Sequence, residues 1–226
     1  MTNEQWQATI LSLQVATTST IVSFPLAVLT ALLLCKSRGA LRIVLDTVVN
    51  LPLVLPPVVT GYLLLLVFGR NGFPGSLLYH TFGLEFIFDF KGAVLAAAIV
   101  AFPLMVRAIR IAFDSVDPKL GQAANSLGAN PWKSFWSVKL PLSIRGLTAG
   151  GMLAFARSLG EFGATIMVAG SIAGETKTIP LFIYEQLQIP GGIKHCWPVI
   201  VVSIAIAMLA LIVSSRFERT AEGRDD

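Results

Sequence analysis

Arg157 and Glu161 stand inside GGMLAFARSLGEFGATIMVAG (150–170), a run that is otherwise apolar or small. At the centre of a membrane helix each such charge costs about 2.5–3.5 kcal/mol on insertion scales. A four-residue spacing puts both on one helix face, close enough to pair. Two roles are open to them. The pair neutralises itself and fixes helix packing, or Arg157 sets a positive field for an anion crossing the membrane. Gly160 and Gly163 beside the pair permit close helix approach. Catalysis is not expected. The chain has no G-x-x-x-x-G-K-[ST] phosphate loop, no G-x-S-x-G and no H-E-x-x-H, and its histidines, His80 and His195, fall in connections. No catalytic residue, metal site or bound cofactor is therefore assigned, and energy for any work must come from another subunit.

The elements that position these charges are membrane helices. Hydrophobic residues make up 54% of the chain and charged residues 13%, far from the soluble balance. Apolar runs of about 20 residues or more, enough to cross a hydrocarbon core, predict five spans at 9–35, 43–69, 92–113, 146–170 and 197–215. The fold class is an all-α integral membrane protein with one domain over 1–226. In the connection 171–196, IPLFIYEQLQIPGG predicts a short helix lying in the interface or dipping into the protein. A sixth membrane helix would have to come from this connection. Connections rich in Lys and Arg alternate with poor ones, 12 residues against 4. The positive-inside rule then places the amino terminus outside and the carboxyl terminus in the cytoplasm. The same asymmetry accounts for the net charge of +4 without nucleic acid. The first span lacks a basic leader and an A-x-A site, so it should stay as an anchor. Cys35 and Cys196 fall at opposite membrane faces and cannot pair. In the outer connection 70–91, Phe73, Phe82, Phe86, Phe88 and Phe90 mark an interfacial belt.

The second span, LPLVLPPVVTGYLLLLVFG (51–69), carries Pro52, Pro56 and Pro57. Three missing amide donors force a kink or an unwound turn. Carbonyls freed in lipid need protein partners or a wet cavity, which predicts a place inside the bundle. Either a static kink or a gate satisfies this pattern. With Gly61, these prolines join Arg157, Glu161 and Gly163 as candidates for a translocation path. Such a path needs thicker walls than five spans supply, so a homodimer is expected. No inverted repeat relates the halves, which counts against the common secondary-transporter plan.

Between spans three and four lies DPKLGQAANSLGANPWKSFWSVKLP (117–141). Asp117-Pro118 is a helix start, and Leu120, Ala123, Ala124 and Leu127 form one apolar face. Gly128 is a natural stop. Asn130-Pro131 repeats the start, Trp132, Phe135 and Trp136 make a second face, and Leu140-Pro141 is expected to end it. Two short amphipathic helices in a charged loop suit either docking of a partner or lying on headgroups.

Gln122-Ala123-Ala124, Gly128-Ala129 and Leu140-Pro141 together resemble the EAA loop of binding-protein-dependent ABC-importer permeases. The resemblance implies a type I permease fold. It also implies that the segment from Asp117 to Leu127, with Gly128-Ala129 as the turn and Trp132 beyond it, seats in a groove of a cytoplasmic ATPase. ATP and magnesium would sit on that partner. Where the family usually has Glu, this chain has Gln122, so an ion pair attributed to that Glu is not available. LPLVLPPVVTGYLLL, FARSLGEFGAT and GAVLAAAIVAFPLMVRAIR resemble the molybdate/sulfate branch, the molybdate side more closely. The resemblance implies a multi-pass subunit of the bacterial inner membrane that passes molybdate, with sulfate, thiosulfate and tungstate as alternative anions. Two ATPases and an extracytoplasmic binding protein are the implied partners. A rival of another class is an ion-coupled carrier with Glu161 as its proton site.

Overall fold

In a computed structural model the chain is described over residues 1–222, and its side chains through Val213. Arg224 lies outside the described residues, and Arg216 and Arg219 outside the described side chains, so their part in the charge asymmetry has no structural counterpart. Every regular element among the described residues is helical. In order these are α1 (Asn3–Lys36), α2 (Gly39–Val54), α3 (Pro57–Phe68), α4 (Gly75–Phe82) and α5 (Phe90–Asp114). There follow α6 (Pro118–Ser126), α7 (Pro131–Ser134), a π-helical turn (Phe135–Lys139), α8 (Leu140–Leu159), α9 (Gly163–Ala169), α10 (Ile179–Leu187) and α11 (Ile193–Glu222).

Helix α1 begins at Asn3, ahead of the expected start at 9, because Thr2 and Gln5 close a capping box there. It extends about 51 Å at 1.5 Å per residue. Its buried side is made of small residues, among them Ala8, Ser12, Ala16, Ser19, Ser23, Ala27 and Ala31. Helix α5 answers with Ala93, Ala96, Ala97 and Ala101. Small facing residues let helices approach closely where lipid offers no hydrophobic drive. Ala27, Ala31 and Leu34 of α1, Met105, Ile109 and Phe113 of α5, and Leu147 and Ala154 of α8 form the main core. The hydroxyls in this seam are bonded. Ser23 donates to the Ser19 carbonyl at 2.6 Å, and Ser19 donates to Ser158 of α8 at 3.3 Å.

The expected second span is not one rod. Helices α2 and α3 meet at 113°. Leu55 and Pro56 each precede a proline, and both are extended, with ψ of 144° and 133°. That is the conformation a following pyrrolidine ring imposes. Pro52, by contrast, is carried inside α2 without a break. The expectation that this segment lies inside the bundle fails for α2, which has no buried residue, and for the exposed Pro56 and Pro57. Five spans of one chain cannot enclose it. Only Thr60, Gly61 and Leu64 of α3 are buried.

The fourth expected span, 146–170, also differs. The second loop helix does not end at Leu140-Pro141. It runs on as one helix from Pro131 to Leu159, then bends 67° into α9. The π turn makes this continuity possible. The Leu140 N–H donates to the Phe135 carbonyl, five residues back, so the widened turn receives Pro141 without the usual clash on the preceding turn. No sixth membrane helix comes from 171–196. Helix α10 has nine residues, about 14 Å of rise, and it dips into the protein, packing Ile179 and Phe182 on Ala8 and Val199.

The connection 70–91 is ordered by α4 and by an ion pair between Arg70 and Glu85 at 2.8 Å. The Arg70 guanidinium bonded to it holds the Glu85 carboxyl below its ordinary range. Of the five aromatics expected as a belt, Phe73, Phe82 and Phe88 are exposed, while Phe86 packs on Phe68 at 5.8 Å between ring centroids.

The break in span two is locked to the break in span four by glycine. A Cβ at Gly61 would lie 2.8 Å from the Cα and carbonyl oxygen of Ala164, and one at Gly163 would lie 2.8 Å from Cβ of Pro57. Gly160 was expected to serve the same purpose and does not, since a Cβ there meets only the Arg157 carbonyl oxygen at 3.9 Å. Gly61→Leu and Gly163→Leu should each lower stability by about 1–3 kcal/mol, read as a shift in SDS-induced unfolding. Gly160→Ala should stay within about 0.5 kcal/mol of the unsubstituted chain.

Candidate functional site

The loop 117–141 folds as its caps dictate. The Asp117 carboxylate accepts from the Lys119 amide at 2.8 Å, and the Asn130 side chain accepts from the Lys133 amide at 2.7 Å. At the end of α6, Gly128 takes φ +87°. The Ala129 amide donates to the Ala124 carbonyl and the Gly128 amide to the Asn125 carbonyl, each at 3.0 Å. This is a Schellman stop. Helix α6 leans on α7 through its small side, with Gly121 set against Ser134. Its other side, with Leu120, Ala123 and Leu127, faces outward, and Leu127 is 90% exposed. Gln122 is exposed on α6 as well, and Ala124 is half-buried.

Trp132 and Trp136 stand on the same outer side at 5.7 Å, and Phe135 links them inward to Phe113 at 6.0 Å. Beneath the loop lies a cleft of about 630 Å³ bordered by Lys36, Phe113, Asp114, Asn125, Phe135 and Lys139. What the loop offers is therefore a stiff, capped helix with an apolar outer edge, rimmed by tryptophan.

The second centre is the break between α8 and α9. Arg157 and Glu161 do pair, Nη1 to Oε2, at 3.0 Å. They do not share one continuous helix, because α8 stops at Leu159 and Glu161 belongs to the break. Glu161 holds the break together. Its Oε1 accepts from the Ala164 amide at 2.9 Å while its backbone N–H donates to the Ser158 carbonyl at 3.2 Å. The Glu161 side chain is 2% exposed and that of Arg157 is 31%. One carboxylate oxygen thus caps α9, and the other faces a cation that keeps partial access to the outside.

The residues expected for a path fall into one neighbourhood in part. Pro57, Gly61, Gly163 and the Arg157–Glu161 pair converge where α3 meets α9. Pro52 lies on α2, beyond the Leu55–Pro56 bend. Three further partners escaped the sequence. Phe162, in the break, lies against Tyr184 of α10 with ring centroids 5.0 Å apart and the rings tilted by 50°. Lys177 pairs with Glu185 at 2.6 Å, and Ser171 donates to the same carboxylate. Lys177 is one of the cations in the connections that are poor in Lys and Arg. Its eight-residue separation from Glu185 carries no helical or strand signal.

A broken-helix centre, a capped loop and a small-residue helical core together define a multi-span helical membrane fold. The alginate importer solved with its pentasaccharide-bound periplasmic protein matches it with a TM-score of 0.75 over 97% of this chain and 80% of that one, at 16% identity. The inward-facing MetNI methionine ABC transporter gives 0.72 over 98% and 99%, also at 16% identity. The fold is shared with both.

The sequence narrows this class. Residues 23–219 match the family model of the binding-protein-dependent transport system inner membrane component. The chain is a member of that family. It is 49% identical, over 99% of both chains, to the molybdenum transport system permease protein ModB of Escherichia coli K12. To ModB of Haemophilus influenzae it is 51% identical over 90% of this chain and 89% of that one. The sulfate permease CysW of Synechococcus elongatus is more distant, at 37% over 74% and 61%.

The two bonds of Glu161 give separable outcomes. Glu161→Gln keeps an acceptor for the Ala164 amide and should destabilise the chain less than Glu161→Ala, which also uncaps α9. Removal of a helix cap costs about 1 kcal/mol, so the Ala variant should melt lower than the Gln variant by at least that difference. Equal melting would show that the cap contributes nothing.

Proposed function

We propose that this chain is the membrane-spanning subunit of an ATP-driven importer that carries molybdate into the bacterial cell. It works as a homodimer in the cytoplasmic membrane, with two cytoplasmic ATPases holding ATP and magnesium and an extracytoplasmic binding protein selecting the anion. The supporting observation is near full-length identity of about half to molybdenum permeases, against a lower and shorter match to a sulfate permease. The amino terminus is outside and the carboxyl terminus inside, which puts α6 in the cytosol.

The mechanism follows from how the two centres are joined. The ATPase groove takes the outer edge of α6, with Leu120, Ala123 and Leu127 buried against it and Trp132 at the rim. Aromatic anchors and small apolar residues suit such a contact. Helix α6 rests on α7, and α7 continues without interruption through the π turn into α8. A push on the loop is therefore delivered about 40 Å away, at the break where Glu161 pins α9 to α8. There α9 is locked by glycine to α3. The exposed apolar faces of α2 and α3 meet a second copy across the path. Rotation of the two halves exposes Arg157 to one side of the membrane and then the other, and its charge offsets the cost of the anion in a low-dielectric path.

The pairing of Glu161 with Arg157 counts against its use as a proton site, since a proton there would leave the Arg157 charge without its partner. Two experiments test the reading. Uptake of labelled molybdate should survive an ionophore, stop when ATP hydrolysis stops, and resist excess sulfate. Uptake abolished by the ionophore and indifferent to ATP hydrolysis would replace this reading with an ion-coupled carrier. Copurification with a P-loop ATPase should fall about tenfold or more in Leu127→Asp and Gly128→Asp, with membrane insertion intact. Retention of the complex in both variants would remove the coupling assignment.

A further inference from the structure

The carboxylate of Glu185 is held in an unusual way. Ser171 donates its hydroxyl to Oε1, and the Lys177 ammonium lies 2.6 Å from Oε2. Both donors come from the connection between α9 and α10, and Glu185 comes from α10 itself. Lys177 is largely buried, with 17% of its side chain exposed.

The connection that carries the donors is a closed turn. The Ile172 carbonyl accepts from the amides of Glu175, Thr176 and Lys177 at 2.9–3.1 Å, and the Ile172 amide donates to the buried Thr176 hydroxyl at 2.9 Å. Ser171 and Lys177 are therefore fixed at the two ends of one hydrogen-bonded loop before any ligand arrives. A hydroxyl and an ammonium presented to two oxygens of one anionic group form an oxyanion-binding arrangement.

Helix α10, which carries the carboxylate, is tied to α1 at its start and to the α8–α9 break further along. Its first amide, Ile179 N–H, is capped by the Ser12 hydroxyl of α1 at 2.7 Å. Thr178, at the N-cap position, makes no side-chain cap, and its hydroxyl is buried without a partner. Further along α10, the Tyr184 ring lies against Phe162, which belongs to the α8–α9 break, at 5.0 Å between centroids. A movement at the break is thus felt directly by α10.

We propose that Ser171 and Lys177 form an oxyanion site at the outer mouth of the path, and that Glu185 occupies it as an internal stand-in until α10 shifts. The ligand class is a tetrahedral oxyanion, two of whose oxygens replace those of the carboxylate. The stand-in keeps Lys177 neutralised while the path is closed, so the ammonium offers an arriving anion no free charge. The proposal rests on the anion-importer reading above and on the topology that places 171–196 outside.

The test is binding of labelled molybdate, and separately labelled sulfate, to the full-length chain in lipid nanodiscs without a binding protein. If Glu185 fills the site at least nine-tenths of the time, vacating it should tighten apparent binding about tenfold. Glu185→Gln should show that gain, and Glu185→Gln combined with Lys177→Gln should lose it. Glu175→Gln, which removes an equal charge from the same connection, should leave binding unchanged. An ordinary structural ion pair predicts that Glu185→Gln and Lys177→Gln act alike, and that result would overturn the site. So would an equal gain from Glu175→Gln, or no gain at all. A gain with sulfate and none with molybdate would uphold the site while removing the molybdate reading. Intact molybdate uptake by the unsubstituted transporter, with no gain in Glu185→Gln, would do the reverse.

Discussion

Backbone groups released by a broken helix have no water to turn to inside a hydrocarbon layer, and they must find partners in the protein. This chain breaks two of its membrane segments and meets the demand differently at each. At Leu55–Pro56–Pro57 much of the demand disappears, because two prolines carry no amide and impose the extended turn themselves. Between Leu159 and Gly163 there is no proline, and Glu161 supplies the missing acceptor from its side chain. A carboxylate in that position needs a cation, and Arg157 is the one within reach. The charges that looked like an intrusion into an apolar span are the means by which that span is allowed to bend.

The two breaks then depend on each other. Gly61 and Gly163 bring α3 and α9 to backbone contact, so neither bend can open without moving the other. A π turn at Phe135–Lys139 has a related use at the far end of α8. It accommodates Pro141 and lets the loop helix α7 and the membrane helix α8 act as one lever. Stiffness between the loop and the break, and a joint at the break, are what a device needs to convert a push in the cytosol into a change across the membrane.

The electrostatics around the break and α10 follow the same logic. Two cations near the break and α10 are matched by carboxylates, Arg157 by Glu161 and Lys177 by Glu185. A path lined by unpaired cations would hold a dianion too tightly to release it. In the proposed reading, pairing leaves the positive charge available only when a helix moves, which would tie binding to conformation.

The sequence by itself determined the helical class, the capped loop at Asp117 and Asn130, the stop at Gly128 and the pairing of Arg157 with Glu161. These depend on neighbours within a few residues, where side-chain type and spacing set the local backbone. The bends were legible only as the presence of proline at 52, 56 and 57, and the break at 160–162 was not legible at all, since Glu161 could equally have continued a helix. Contact between Gly61 and Ala164, the Ser12 cap on α10 and the cradle around Glu185 were decided by tertiary structure alone. In each of these the partners lie 8 to 167 residues apart, with no repeat or spacing to tie them. Their meeting is fixed by which helices the small-residue core of α1, α5 and α8 brings side by side.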